Sequence, residues 1–130
     1  MASAVYPSFK KLLLDGDIDL LVDTIKCVLI DTADYTYSAA HDNLDDVAAG
    51  ARVGTAQTLA NKTTTGGVFD ADDVVFTSVT GDPTEAVLIY KEGGTEGTSP
   101  LIAYIEGSVT PNGGNITVQW DGGANKIFAL

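Results

Sequence analysis

Along the last third of the chain, apolar runs and turn residues alternate in short steps. Ala86 to Tyr90 is followed by Gly93-Gly94, and Leu101 to Ile105 by Pro111-Asn112-Gly113-Gly114; Ile116, Val118 and Trp120 then alternate with Asn115, Thr117 and Gln119. Connections this short admit only hairpins, so the pattern predicts an antiparallel meander over 85–91, 101–106 and 115–120. In its last strand Ile116, Val118 and Trp120 share one face, and burying all three would contribute roughly 5–8 kcal/mol on area grounds.

Upstream the periodicity changes. Phe9, Leu12 and Leu13 fall at helical spacing after Pro7 and before Gly16, which predicts a short helix over 7–15 with Lys10 and Lys11 facing solvent. From Asp17 to Asp31 the expectation is a strand. Ile25, Cys27 and Leu29 alternate with Lys26, Val28 and Ile30, so both faces are largely apolar. Such a strand needs cover on both sides, from the N-terminal helix or from a partner subunit. Residues 32–50 are polar and irregular, with a helical turn expected at Leu44 and Val47, capped by Asp42 or Asn43 and ended by Gly50. Further strands are expected near 51–60, 67–69 and 74–76, and Ile127 to Leu130 reads as a final strand tucked into a sheet. The fold these elements define is all-β: an antiparallel β-sandwich, jelly-roll-like or Ig-like, with one short N-terminal helix. Nothing in the pattern divides the chain, so a single domain over 1–130 is expected.

Charge narrows the partners. Eighteen acidic side chains stand against 7 basic ones, a net charge of −11. Such a balance lacks the basic footprint that nucleic acid or an anionic lipid surface requires, so neither is expected as a partner. The segment from Met1 to Pro7 has neither a basic stretch nor a long apolar run, so no secretory signal is expected, and synthesis in a cytoplasm follows. Cys27 is the sole cysteine, which removes any internal disulfide.

Candidate chemistry is sparse. Asp15, Asp17 and Asp19 resemble the start of a calcium loop, but the sixth and twelfth places hold Leu20 and Lys26 where an EF-hand needs Gly and Glu. A solvated acidic turn is the expectation, with a looser cation site as the alternative. Asp70, Asp72 and Asp73 read as turn or helix caps. His41 is the only histidine, and Cys27 lies in an apolar strand pattern that predicts a buried, inert thiol. One histidine and one cysteine are also too few for a zinc site. Gly93-Gly94 and Gly113-Gly114 lack the Gly-Lys-Ser/Thr ending of a phosphate loop and read as turns. No catalytic residue, metal ligand or cofactor is therefore assigned. Tyr35 and Tyr37, in a polar stretch, are candidates for an exposed contact.

Several stretches together resemble small virion structural proteins of tailed bacteriophages. They are Gly16 to Asp19, Leu29 to Tyr35, Ala49 to Val53, Glu85 to Lys91, Leu101 to Ile105, and Thr110 to Gly114 followed by Trp120-Asp121. The similarity runs from about residue 6 to residue 130 and lies in the order and spacing of the pieces. It implies a non-enzymatic virion component made in the host bacterial cytoplasm, and within that class a capsid decoration or cement protein on the capsid surface. The partner implied is the major capsid protein or another virion protein, with a homo-oligomer, a trimer favoured, as the assembled form. A tail or head–tail connector subunit is the alternative, and a carbohydrate- or cation-binding β module the reading from another class. The candidate interface comprises Phe9, Leu12, Leu13, Tyr35, Tyr37 and Leu130.

Overall fold

The computed structural model describes residues 3–120, 122–123 and 126–130, so Asp121 of the last matched stretch, like Met1 and Ala2, lies outside the described residues. The chain is mostly β, sandwich-like, with one short helix. Strands β1 (Ala4–Val5), β2 (Ile25–Ile30), β3 (Arg52–Thr58), β6 (Thr84–Lys91) and β7 (Leu101–Val109) form an antiparallel sheet in the order β1-β7-β6-β2-β3. Two strand pairs lie apart from it: β4 (Val68–Phe69) with β9 (Phe128–Ala129), and β5 (Val74–Phe76) with β8 (Ile116–Val118).

The helix α1 spans Pro7–Leu14. Pro7 opens it, where a missing N–H costs nothing. Gly16 closes it at φ +81°, with Gly16 N–H on the Leu13 carbonyl and Asp17 N–H on that of Leu12. These two bonds satisfy the carbonyls that a helix end leaves open, and the left-handed backbone they require suits glycine. Phe9 points inward and is fully buried.

Opposed residues of an antiparallel ladder share a face, so the register sorts the central sheet into two sides. Val28, Leu88 and Tyr104 are aligned across β2, β6 and β7 on one side, and Cys27, Ile89 and Ala103 on the other. All six are buried. Tyr35 and Tyr37, from the irregular stretch after β2, pack against the Tyr104 ring and cover the first side. Leu29, Val87 and Ile105 on the second side share a cleft with Val118, Trp120 and Ile127, which places β8 and the last residues over it. The doubly apolar β2 is thus covered within the chain.

Three expectations need correction. The strand expected from Asp17 begins only at Ile25. Before it, Asp19 Oδ1 accepts the N–H groups of Leu21 and Val22 at 3.0 and 3.2 Å, and Asp23 Oδ2 accepts that of Asp19 at 2.8 Å. Carboxylates that take up successive backbone donors build a turn, and this one leaves Leu21 and Val22 in solvent. At Leu44–Asp46 the expected turn forms as a single 3-10 turn, with Leu44 and Val47 buried, but neither Asp42 nor Asn43 caps it through its side chain. Asp46 Oδ2 instead accepts the Asp42 N–H at 2.8 Å.

The third correction concerns 115–120. Its strand is shorter, Ile116–Val118, and pairs with β5 rather than extending the meander from β7. β7 already has β6 on one side and β1 on the other. The loop before β8 is also held elsewhere: Gly113 N–H bonds the Val79 carbonyl at 2.7 Å, Val79 N–H that of Gly114 at 3.0 Å, and Asn115 Oδ1 accepts Ser78 N–H at 3.1 Å. Trp120 lies past the strand end, half-buried, with its indole N–H on the Asp72 carbonyl at 3.0 Å and its backbone N–H on Asp73 Oδ1 at 3.0 Å. Trp120→Ala is therefore expected to cost about 1–2 kcal/mol in urea denaturation, from partial burial and one hydrogen bond. A fully buried indole would cost about 3–5 kcal/mol, and a loss of that size would contradict this placement.

Candidate interaction surface

The residues that could carry chemistry are held apart. Cys27 lies on the Ile89 side of the central sheet, fully buried, and burial pushes its thiol up to about 12. His41 stands over the opposite side, where its Nδ1 meets the Tyr35 hydroxyl at 2.9 Å. The sheet thus separates the thiol from the imidazole, and no nucleophile–base pair can form between them. Tyr35 Oη also meets Tyr6 Oη at 2.8 Å, and the rings of Tyr6, Tyr37 and Tyr104 follow at 4.9 and 5.7 Å. Burial raises the phenols of Tyr6, Tyr35 and Tyr104, so they stay protonated and knit residue 6, the 35–41 stretch and β7 together. Tyr6→Phe, which removes one of these hydroxyls, is expected to cost about 1 kcal/mol in thermal or urea unfolding.

The carboxylates singled out along the sequence serve local structure. Asp15 pairs with Lys11 and Asp19 builds the 19–23 turn, while Asp17 meets Lys91 Nζ at 3.1 Å through its backbone carbonyl and not its carboxylate. Asp23, which pairs with the same lysine at 3.1 Å, is held below the usual carboxylate range chiefly by the Asp19 N–H. Two other acidic trios come together, Asp31 with Asp34 and Asp82, and Asp42 with Asp45 and Asp46, each with one oxygen per residue within 4.8 Å of the others. Asp31 receives the Ala33 N–H and Asp46 that of Asp42, so backbone donors already use part of each trio. Asp72 and Asp73 accept from the Asn61 side chain and the Trp120 backbone N–H, so these two carboxylates tie distant segments together instead of capping a local turn or helix as expected. Gly93 belongs to a turn: a Cβ there would fall 1.7 Å from the Thr98 carbonyl oxygen, which excludes any side chain.

The expected interface residues divide. Phe9 and Tyr35 are interior, which corrects their placement at an exposed contact. Phe9 meets Phe128 edge-on at 5.7 Å, and Tyr35 gains its cover from Tyr6 and His41. Tyr37 is half-buried between Tyr6 and Tyr104, and with Thr32, Glu85 and Glu106 it borders an open polar cleft of about 620 Å³. Leu12 and Leu13 are half-buried against the core, and Leu130 is 66% exposed.

Leu130 and Leu13 belong to a larger apolar surface. With Val5, Lys10, Leu14 and Ala129 they line a depression of about 490 Å³. Next to it Leu13 and Leu130 join Leu20, Leu21, Phe69 and Phe128 around a second of about 390 Å³. Leu14 is 87% exposed, Leu21 51% and Val22 80%; among the described residues, the other large apolar side chain exposed away from this region is Val75. Leu14, Leu21 and Val22 were missed in the sequence. Leu14 carried a signal: it is the third of three consecutive leucines, and at 100° per residue a helix cannot turn all three inward.

No helix among the described residues is long and apolar enough to cross a membrane. Comparison with protein-family models and with curated proteins finds no match for the chain.

Proposed function

We propose that the chain is a non-enzymatic virion structural protein of a tailed bacteriophage, a capsid decoration subunit that adheres to the major capsid protein on the head. The observation that carries this reading is the apolar surface around two adjoining depressions, where Leu14, Leu21 and Leu130 are exposed beside the half-buried Leu13, displayed on a scaffold whose sheet is covered on both sides. Solvated leucines at this density mark a surface that is covered in use. The sequence resemblance supplies the setting, and the separation of Cys27 from His41 supports a role without turnover. Adhesion through many weak, repeated contacts needs a rigid scaffold and a sticky face, and a lattice multiplies a modest affinity by avidity. The experiment is to quantify the chain in purified empty heads and in isolated tails. A decoration subunit is found on heads. Tails that contain it, with heads that lack it, would overturn this reading in favour of a tail or connector subunit.

A further inference from the structure

We propose that the cleft bordered by Tyr37, Tyr104 and Glu85 is a binding site for a neutral saccharide. This goes beyond the adhesion proposed above and does not depend on it.

A buried hydroxyl with no partner in the chain carries the inference. Tyr104 stands on β7, is only 3% exposed, and lines the cleft of about 620 Å³. Its neighbours use their hydroxyls within the fold: Tyr6 and Tyr35 meet at 2.8 Å, and Tyr35 continues to His41 at 2.9 Å. Among the described residues no hydrogen bond reaches the hydroxyl of Tyr104, or that of the half-buried Tyr37 on the same cleft. The Tyr104 oxygen is not sealed in either, since Arg52 Nε is, among the described residues, the side-chain polar atom that is both enclosed and unpartnered. The cleft is what this hydroxyl has left to face. Polar atoms of buried side chains are ordinarily paired, so a phenol left over at the wall of a cavity marks a bond made outside the chain.

The rest of the wall selects the class of ligand. Glu85 takes the N–H and the hydroxyl of Thr32 on Oε1, at 3.3 and 2.9 Å, which fixes the carboxylate and leaves Oε2 to accept. Thr36 and Ser108, both exposed, add hydroxyls. Burial, and after it the Glu106 and Glu85 carboxylates, hold the Tyr104 phenol above its ordinary range, so it keeps its proton and donates. Donors and acceptors are therefore mixed along one wall. An anion would meet the Glu85 and Glu106 carboxylates, and no lysine or arginine lines the cleft among the described residues. An ammonium or guanidinium group only donates, and would leave the phenol protons unmet. A sugar hydroxyl donates and accepts at one oxygen, which matches a phenol beside a carboxylate. Tyrosine also presents an apolar ring next to its hydroxyl at little cost in side-chain freedom. The Tyr37 ring packs on Tyr6 at 4.9 Å and on Tyr104 at 5.7 Å, so both phenols are in place before a ligand arrives.

The test is an NMR titration of the isotope-labelled full chain with maltotriose, cellotriose, lactose and chitotriose, and with sialic acid and tetralysine as anionic and cationic controls. At least one neutral sugar is expected to shift the amides of Tyr37, Tyr104 and Ser108 saturably, and the controls to leave them in place. Tyr104→Phe is expected to melt as the wild type does, because no bond within the fold is lost. It should weaken that sugar about fivefold, the worth of one hydrogen bond, and Tyr37→Phe added to it should bring binding below detection. Tyr104→Phe melting well below the wild type would show that its hydroxyl is bonded inside the fold, and would overturn the proposal. So would a lack of saturable shifts with every neutral sugar, shifts at these amides with a control in their place, or sugar binding that Tyr104→Phe leaves unchanged. None of these outcomes bears on whether the chain is found on heads, so the two readings fail separately.

Discussion

Phe9→Ala is expected to destabilise the fold by about 3–5 kcal/mol, because it empties the contact that docks α1. The Phe9 ring is fully buried and meets Phe128 at 5.7 Å, and Phe128 meets Phe69 at 5.2 Å. One aromatic chain thus ties α1 to the β4–β9 pair, whose ladder is only two residues long. A pair that short does not stand alone in water, so its position depends on side-chain packing. Against a typical total of about 5–15 kcal/mol, this loss is a large fraction of the stability, and it would also loosen the groove that Leu13 and Leu130 line. Leu14→Ala, one turn further along the same helix, should stay within about 0.5 kcal/mol because its side chain is in water. Urea denaturation of the two variants checks the contrast. A costly Leu14→Ala beside a mild Phe9→Ala would mean that the helix is rolled the other way.

Alkaline pH is expected to unfold the chain well before its backbone is at risk. Burial raises the Cys27 thiol from its ordinary 9.0 to about 12. The folded state therefore holds this proton more tightly than the unfolded state does. Its contribution is fully present below pH 9 and is lost as pH climbs through 12. At about 1.4 kcal/mol per unit, the loss from this thiol alone is on the order of 4 kcal/mol by the end of that window. The phenols of Tyr6, Tyr35, Tyr90 and Tyr104 act in the same sense above their ordinary 10.0, chiefly through burial. Urea midpoints measured in steps from neutral pH upward should decline from about pH 9, and Cys27→Val should delay the onset toward the tyrosine range. A midpoint unchanged across that window would show that solvent reaches the thiol in the folded state.

The parts of this fold that were legible in the sequence are those whose signals are local. The β6–β7 hairpin announces itself by two apolar runs around Gly93-Gly94, and α1 by three- and four-residue spacing ended at Gly16. The β4–β9 pairing was half legible: Ile127 to Leu130 read as a strand, but nothing near it names Val68 and Phe69 as partners. What stayed hidden depends on partners far along the chain. Tyr35 sits in a polar stretch and looks exposed, yet its hydroxyl bonds Tyr6, 29 residues earlier. β8 was misassigned because the free edge of β7 is filled by Ala4–Val5, a strand too short to register in any pattern. In the 17–31 stretch the apolar residues Leu21 and Val22 looked like strand, while the Asp19 carboxylate was closing a turn around them. The candidate interface followed the same logic: hydrophobicity picked out α1 and residue 130, and only three-dimensional burial shows Phe9 to be interior and Leu14 and Leu130 exposed.

The central claim is that the outward work of this chain is adhesion within a virion. Its most direct test is the amount of the chain in purified, intact phage particles, measured by quantitative mass spectrometry against the protein that builds the capsid lattice. The account predicts a fixed stoichiometry at high copy that survives gradient purification and drops when Leu14 and Leu130 are both replaced by Asp. Particles free of the chain, with all of it left in the host lysate, would contradict it.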